Sequence, residues 1–204
     1  MRAWQGTLLG AEGPAIDPGV AFERVNLDDT SWVDLARGWL RGADTLLDVL
    51  VRTVPWRQGR RLMYGRMVDD PRLSRWYGDA DELPHPLLAG IRTRLSARYA
   101  VPFGAVGLNY YRDGRDSVAS HRDRELRDVD DSLVAIATLG AARPFLIRPR
   151  DRGPSRDLRP GSGDLLVMGG RTQNDWEHAV PKVRTAGPRV SISLRWASSP
   201  IVAD

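Results

Sequence analysis

The chain has 204 residues, 42% hydrophobic and 27% charged, with seven Trp, five Tyr and three Phe; this supplies one sizeable core and excludes wholesale disorder. Cysteine is absent, which excludes disulfides, thiolate metal sites, iron–sulfur clusters and Cys nucleophiles, so any metal must sit on His, Asp or Glu. No apolar run approaches the roughly eighteen residues of a membrane span, and Met1–Gly6 lacks the apolar stretch of a secretory signal, so a cytoplasmic protein without membrane association is expected. The formal net charge is +4, and 29 of the 30 cations are arginine, Lys182 being the exception. GC-rich coding explains such a bias; so does a need for the arginine fork, which grips carboxylates and phosphates as lysine cannot.

Residues 1–27 read as an irregular lead ending in a candidate strand, Val20 to Leu27. Thr30 or Ser31 is placed to cap a first helix whose apolar positions, Trp32, Leu35, Trp39 and Leu40, follow helical spacing. After Gly42, Asp44 is placed to cap a second helix carrying Leu46, Leu47, Leu50 and Val51, stopped near Pro55. Basic clusters at Arg57–Arg61 and Arg72–Arg75, interleaved with Trp56, Trp76 and Tyr77, form a candidate nucleic-acid surface. Pro86 opens a further helix with Leu87, Leu88, Ile91, Leu95 and Tyr99 on one face, and His85 before it reads as a cap or a surface residue. Beyond residue 105 the pattern changes to short strands: Val106–Tyr111, Ser117–Arg122, Leu133–Leu139, Pro144–Arg148, Asp164–Met168 and Arg189–Ala197, with an Arg/Pro/Gly-rich loop at 149–163. Helices followed by antiparallel strands predict an α+β fold whose C-terminal strands close into a sandwich or barrel.

Three histidines are available, His85, His121 and His178. In an extended strand His121 and Asp123 project from one face, and a distant His would complete the 2-His-1-carboxylate set of non-haem Fe(II) oxygenases. An isolated His-x-Asp is also met as a satisfied polar pair. Eleven residues past His178, the run Arg189–Arg195 alternates Arg189, Ser191, Ser193 and Arg195 with Val190, Ile192 and Leu194. One face is core; the other carries two guanidiniums able to bracket a short dicarboxylate, or else meets solvent.

With these segments in view the sequence resembles the AlkB-type Fe(II)/2-oxoglutarate dioxygenases, and their mammalian DNA-repair branch most. The resemblance runs from about Pro71 to Trp196 and rests on PRLSRWYGD at 71–79, NYYRDGRDSVASHRDRE at 109–125, TQNDWEHAVPK at 172–182 and PRVSISLR at 188–195. It implies a double-stranded β-helix (jelly-roll) core with N-terminal helices and a nucleotide-recognition lid. On that frame residues 1–55 are a helical or irregular extension packed on the core, 56–100 the lid and its supporting helix, and 101–204 the catalytic core, all within one domain.

Carried over by position, the resemblance makes His121, Asp123 and His178 the iron ligands and Asn109 and Tyr111 contacts of 2-oxoglutarate. It makes Arg189 the partner of the distal carboxylate, and Arg195 a second arginine near the other carboxylate that also holds Asp123. Trp76, Tyr77 and Tyr64 are candidates to cover a flipped base. Glu125 either faces the cationic alkylated base or pairs on the surface with Arg124 or Arg127. Asp79-Ala80-Asp81-Glu82 departs from the family pattern, being acidic where an aromatic run is expected. The implied cofactor is Fe(II), with 2-oxoglutarate and O2 as cosubstrates. The implied reaction is oxidative dealkylation of 1-methyladenine- and 3-methylcytosine-type bases with release of formaldehyde. The implied partner is alkylated DNA, with RNA as a further substrate; the acidic departure at Asp79–Glu82 favours single strands over double strands, and a monomer is expected. The alternatives are an oxygenase of the same architecture acting on modified tRNA or mRNA bases, and a non-catalytic nucleic-acid-binding protein.

Overall fold

The computed structural model describes residues 13–63, 65–151 and 153–198. Its elements in chain order are β1 (Ala15–Ile16), β2 (Glu23–Asn26), β3 (Ser31–Ala36), β4 (Leu40–Arg41), α1 (Ala43–Thr53), β5 (Arg57–Met63), β6 (Arg66–Tyr77), α2 (Pro86–Tyr99) and β7 (Val106–Tyr111). There follow β8 (Val118–His121), β9 (Ser132–Gly140), β10 (Leu146–Pro149), β11 (Arg156–Asp157), β12 (Leu165–Gly170), α3 (Thr172–Asp175), β13 (Trp176–Val180) and β14 (Arg189–Ala197). An eight-stranded sheet in the order β2-β3-β12-β9-β14-β7-β6-β5 faces a four-stranded sheet in the order β11-β10-β13-β8, while β1 and β4 form a separate pair. The two large sheets make the jelly-roll core.

Strand β9 shows why this arrangement holds. Leu133, Ala135, Ala137 and Leu139 turn to one side, where they join Leu46, Leu47 and Leu50 of α1 and Leu88, Ile91 and Leu95 of α2 in one apolar cluster. Val134 and Ile136 turn to the other side and meet Ile147, Trp176 and Val180 of the smaller sheet. A strand covered on both faces needs no polar alternation, and its sequence reads as an unbroken apolar run. Strand β14 obeys the same geometry with different chemistry. Val190, Ile192 and Leu194 join the helix-side cluster, while Arg189, Ser191 and Ser193 are buried on the inter-sheet side.

The helix expected after Thr30 is instead β3, paired in register with β2 and β12. Asp28 Oδ1 accepts from the backbone N–H of Thr30 and Ser31, but the Asx turn it makes joins two strands and does not start a helix. Val33 and Leu35 face the inter-sheet core and Ala36 the helix side, so burial on both faces blurs the period. The N-terminal stretch expected as an extension packed on the core therefore supplies β2 and β3 to the main sheet itself.

Helix α1 is also entered differently from expectation. Gly42, at φ 63, is the N-cap and supplies no side-chain bond. Asp44 lies in the first turn and accepts from Ser162 Oγ at 2.7 Å, where its charge opposes the helix dipole. His85 caps α2 as expected, its Nδ1 accepting from Leu87 N–H at 3.1 Å, and Pro86 occupies the first turn. The charge-rich β5–β6 hairpin and the short β13 carry no clear alternation, and neither was expected as strand. No helix among the described residues is long and apolar enough to cross a membrane.

Candidate active site

Strands β8 and β13 are neighbours, and their register sets His121 directly opposite His178, with ring centroids 4.3 Å apart. Strand β8 ends at His121, so Asp123 is not presented by strand alternation as expected. It lies in the turn that follows, where its N–H donates to the Oε1 of Gln173 on α3 at 2.8 Å. Asp123 Oδ1 then stands 3.5 Å from His121 Nε2 and 3.9 Å from His178 Nε2. One ligating atom from each of the three residues lies within 4.8 Å of the others. His121 Nδ1 is 2.9 Å from the Ala119 carbonyl; a proton there donates to that oxygen and leaves the Nε2 lone pair facing the other two groups.

Electrostatics favours the ligand form of both buried members. Burial, reinforced by the neighbouring His121, pushes the His178 imidazole down to about 3, so it is neutral at neutral pH. Burial alone would raise the Asp123 carboxyl; the Arg195 guanidinium, the His121 contact and His178 outweigh it and hold the group far below the ordinary carboxylate range. Two imidazoles and one carboxylate on one side of a cleft suit a divalent iron and leave positions open for oxygen ligands.

Arg195 lines the cleft, and two further arginines are buried beside it. Arg195 Nε is shared between Asp123 Oδ2 at 2.7 Å and Glu125 Oε1 at 3.1 Å, and the Trp76 ring covers the guanidinium with its centroid 5.2 Å away. Arg189, opposite Tyr111 in the register, is 0% exposed. Its Nη2 donates to Thr138 Oγ1 at 3.2 Å and the Tyr111 ring lies 5.2 Å from its guanidinium, yet Nε and Nη1 have no protein partner. Burial depresses its pKa. A buried cation without a carboxylate costs several kcal/mol, a cost that an anion reaching Nε and Nη1 would offset. Near it Arg143, 1% exposed, donates to the carbonyls of Asp113, Asp116 and Pro181 at 3.0, 3.0 and 2.7 Å and fixes the rim loops.

Comparison with known proteins agrees with this geometry. Residues 43–195 match the model of the 2OG-Fe(II) oxygenase superfamily. Over 177 residues, 76% of the chain, the sequence is 33% identical to alpha-ketoglutarate-dependent dioxygenase alkB homolog 3 of Mus musculus. It is 30% identical over 177 residues, 75% of the chain, to DNA oxidative demethylase ALKBH2 of Homo sapiens, of which 68% is covered. The chain belongs to the AlkB-type branch of the 2OG-Fe(II) oxygenase superfamily. This AlkB-type chain spans 62% of the length of the mouse alkB homolog 3. Among solved structures, a prolyl hydroxylase from Trichoplax adhaerens, in complex with a hypoxia inducible factor peptide fragment, superposes with a TM-score of 0.63 at 14% identity, covering 82% of this chain and 87% of that one. A 2OG-Fe(II) oxygenase-family oxidoreductase from Burkholderia pseudomallei gives 0.55 at 15% identity, covering 78% and 80%. These two share the fold.

The residues of this AlkB-type chain fit the groups its family implies. The His121–Asp123–His178 triad fits iron, and the orphaned Nε and Nη1 of Arg189 fit one carboxylate of 2-oxoglutarate. Asn109 and Tyr111 line the same cleft. The candidates for covering a base fare unequally. Trp76, 50% exposed, lies on the cleft side: a Cβ on Gly107 would come within 2.5 Å of its ring, and Gly107 lies between Trp76 and Ser193 in the register. Tyr77, next in sequence, turns the other way into the helix-side core and is no lid residue, because adjacent side chains of a strand point to opposite faces. Tyr64 lies outside the described residues. Trp56 packs on Tyr110 with centroids 5.3 Å apart, so of the three aromatics expected on a nucleic-acid surface Trp76 alone is exposed.

Glu125 pairs with Arg195 at the mouth of the cleft, a partner neither expectation named. The acidic stretch after Gly78 is used locally: Asp81 Oδ2 accepts from Gly78 N–H at 2.7 Å and Asp79 pairs with Arg92 at 3.7 Å. Sequence reasoning passed over Gln173, and it read Arg72 as part of a surface cluster. Arg72 lines the cleft, and its Nε donates to Asn109 Oδ1 at 2.9 Å.

Proposed function

We propose that this chain oxidatively dealkylates N-alkylated bases of the 1-methyladenine and 3-methylcytosine type in single-stranded DNA. The observation that carries this reading is a buried arginine with unpartnered N–H groups, Arg189, packed against Tyr111, which lines the same cleft as the His–Asp–His triad. Similarity to DNA oxidative demethylase ALKBH2 supplies the substrate class. Iron, 2-oxoglutarate and O2 supply the oxidising chemistry when bound. His121, Asp123 and His178 would hold the metal, while Arg189 neutralises the distal carboxylate of the cosubstrate and Arg195 keeps Asp123 anionic and oriented.

Substrate handling falls to the mouth and the hairpin. Trp76 offers an exposed ring above Arg195, and Glu125 beside it places a carboxylate where an alkylated base, unlike an ordinary one, carries positive charge. On β5–β6, Leu62 is 70% and Met67 52% exposed, alongside exposed Arg57, Arg60 and Arg66; apolar tips beside guanidiniums suit unstacked bases and their phosphates. In the reaction a C–H bond of the N-methyl group is replaced by C–OH. The hydroxyl O–H bond then breaks, its proton passing to solvent and its electron pair forming the second C–O bond, while the N–C bond breaks, its electron pair returns to the base nitrogen and formaldehyde leaves.

The test is anaerobic loading of the protein with Fe(II) and 2-oxoglutarate, then air, with a single-stranded oligonucleotide containing one 3-methylcytosine, followed by mass spectrometry. Loss of one methylene that requires both iron and 2-oxoglutarate is expected. Succinate formed without change in DNA or in a matched RNA would overturn the substrate; no product from metal-loaded protein would overturn the activity.

A further inference from the structure

A second arginine, Arg72, lines the cleft together with Arg195. It projects from β6 on the same side as Trp76 and lines the cleft with Asn109 and Tyr111. Its Nε donates to Asn109 Oδ1 at 2.9 Å, and its Nη1 is buried without a partner. Asn109 lies on β7 opposite Ser74 of β6 and Ser191 of β14, the strand that carries Arg189 two residues away.

A guanidinium has N–H donors and no acceptor. It therefore takes the oxygen of the Asn109 carboxamide and excludes the flipped orientation, which would set N–H against N–H beside a cation. With Oδ1 held by Arg72, the Asn109 amide nitrogen is left with its two hydrogens free to donate on the cleft side. The unpartnered Nη1 of Arg195 adds positive charge around the same space. This end of the cleft thus offers donors and charge to an oxygen-rich anion.

We propose that Arg72 is a positioning residue for 2-oxoglutarate: it locks the Asn109 carboxamide with its NH2 turned toward the cosubstrate. The inference rests on the oxygenase reading given above. It also ties the hairpin to the cosubstrate end of the site, because Arg72 belongs to the strand whose outer half carries the exposed Met67 and Val68.

The experiment is calorimetric titration of 2-oxoglutarate into the full chain loaded with Mn(II), for wild type, R72A, N109A and R72A/N109A. Wild type is expected to bind 2-oxoglutarate only with the metal present. R72A and N109A should each weaken it by about tenfold, the worth of one hydrogen bond with a charged group, and the double variant should be no weaker than N109A alone. Mn(II) affinity should stay unchanged throughout, a pattern that general loss of structure does not give. If R72A melts below the assay temperature, R72Q enters the same cycle. No metal-dependent binding by wild type would overturn the oxygenase reading itself. Binding by wild type with unchanged affinity in R72A, or additive losses in the double variant, would overturn the role of Arg72 alone.

Discussion

Replacing Arg189 by methionine should make the ligand-free protein more stable and blind to 2-oxoglutarate. The guanidinium is 0% exposed, bonded through Nη2 to Thr138 and beside Tyr111, with no carboxylate partner and with Nε and Nη1 unpartnered; burial disfavours its charge most, the nearby Arg143 adds to that, and Tyr111 offsets part of it. Exchanging buried ionic groups for apolar ones of similar volume gains roughly 1–4 kcal/mol. For a chain of this length each kcal/mol moves the melting temperature by about 2–4 °C, so R189M should melt roughly 2–16 °C above wild type. The liganded state should behave oppositely. A two-pronged guanidinium–carboxylate contact contributes about 1.5–3 kcal/mol per bond, and its loss weakens binding by roughly a hundredfold or more. Thermal melts with Mn(II), with and without 2-oxoglutarate, read both effects at once. Wild type should rise on adding 2-oxoglutarate, and R189M should start higher and not move. A variant that melts below wild type without ligand would show that Arg189 is already satisfied, and a retained ligand shift would place the carboxylate elsewhere.

His178→Ala should abolish turnover and Mn(II) binding together, checked by metal stoichiometry. Gly107→Ala should lower stability by about 1–3 kcal/mol, because the new Cβ would sit 2.5 Å from the Trp76 ring and 2.7 Å from Ser193 Oγ; melts and tryptophan emission would follow it. Arg143→Met should cost about 3 kcal/mol or more, since it leaves three carbonyls without their donor. For the metal-free protein, His178 titrates at about 3 when folded against 6.5 when unfolded, so the unfolded chain takes up the proton first as pH falls. Stability should hold above about pH 6.5 and decline below it by up to about 1.4 kcal/mol per pH unit. Urea midpoints at pH 7.5 and 5.5 should differ more in wild type than in H178F.

The catalytic half was more legible in sequence than the N-terminal third, for physical reasons. Strand β14 matches its expected span, Arg189–Ala197, because polar and apolar residues alternate along it, and Pro86 marks α2 because proline suits a first turn. Strand β3 defeated the reading since both its faces are covered, leaving spacing that fits helix and strand alike, with an Asx turn that imitates a cap. At the site, His121 and His178 announced themselves by scarcity, three histidines in 204 residues. What no local pattern could show is that Arg72, of all the arginines, turns into the cleft, or that Tyr77 turns away from it. Both follow from which side of β6 faces β14 across β7, and that depends on register between distant strands.

The ion pair between Asp123 and Arg195 joins two layers as well as tuning a charge. Asp123 follows β8, at the border of the smaller sheet, whereas Arg195 stands on β14, past the last residue that β14 pairs with β7. Among the described residues no backbone ladder joins the two sheets, so the 2.7 Å contact, with the neighbouring Arg195–Glu125 pair at 3.1 Å, acts as a clasp at the mouth of the cleft. The carboxylate that ties the two layers together is the same one that completes the candidate metal triad, so the mouth of the cleft and the metal site meet in a single side chain.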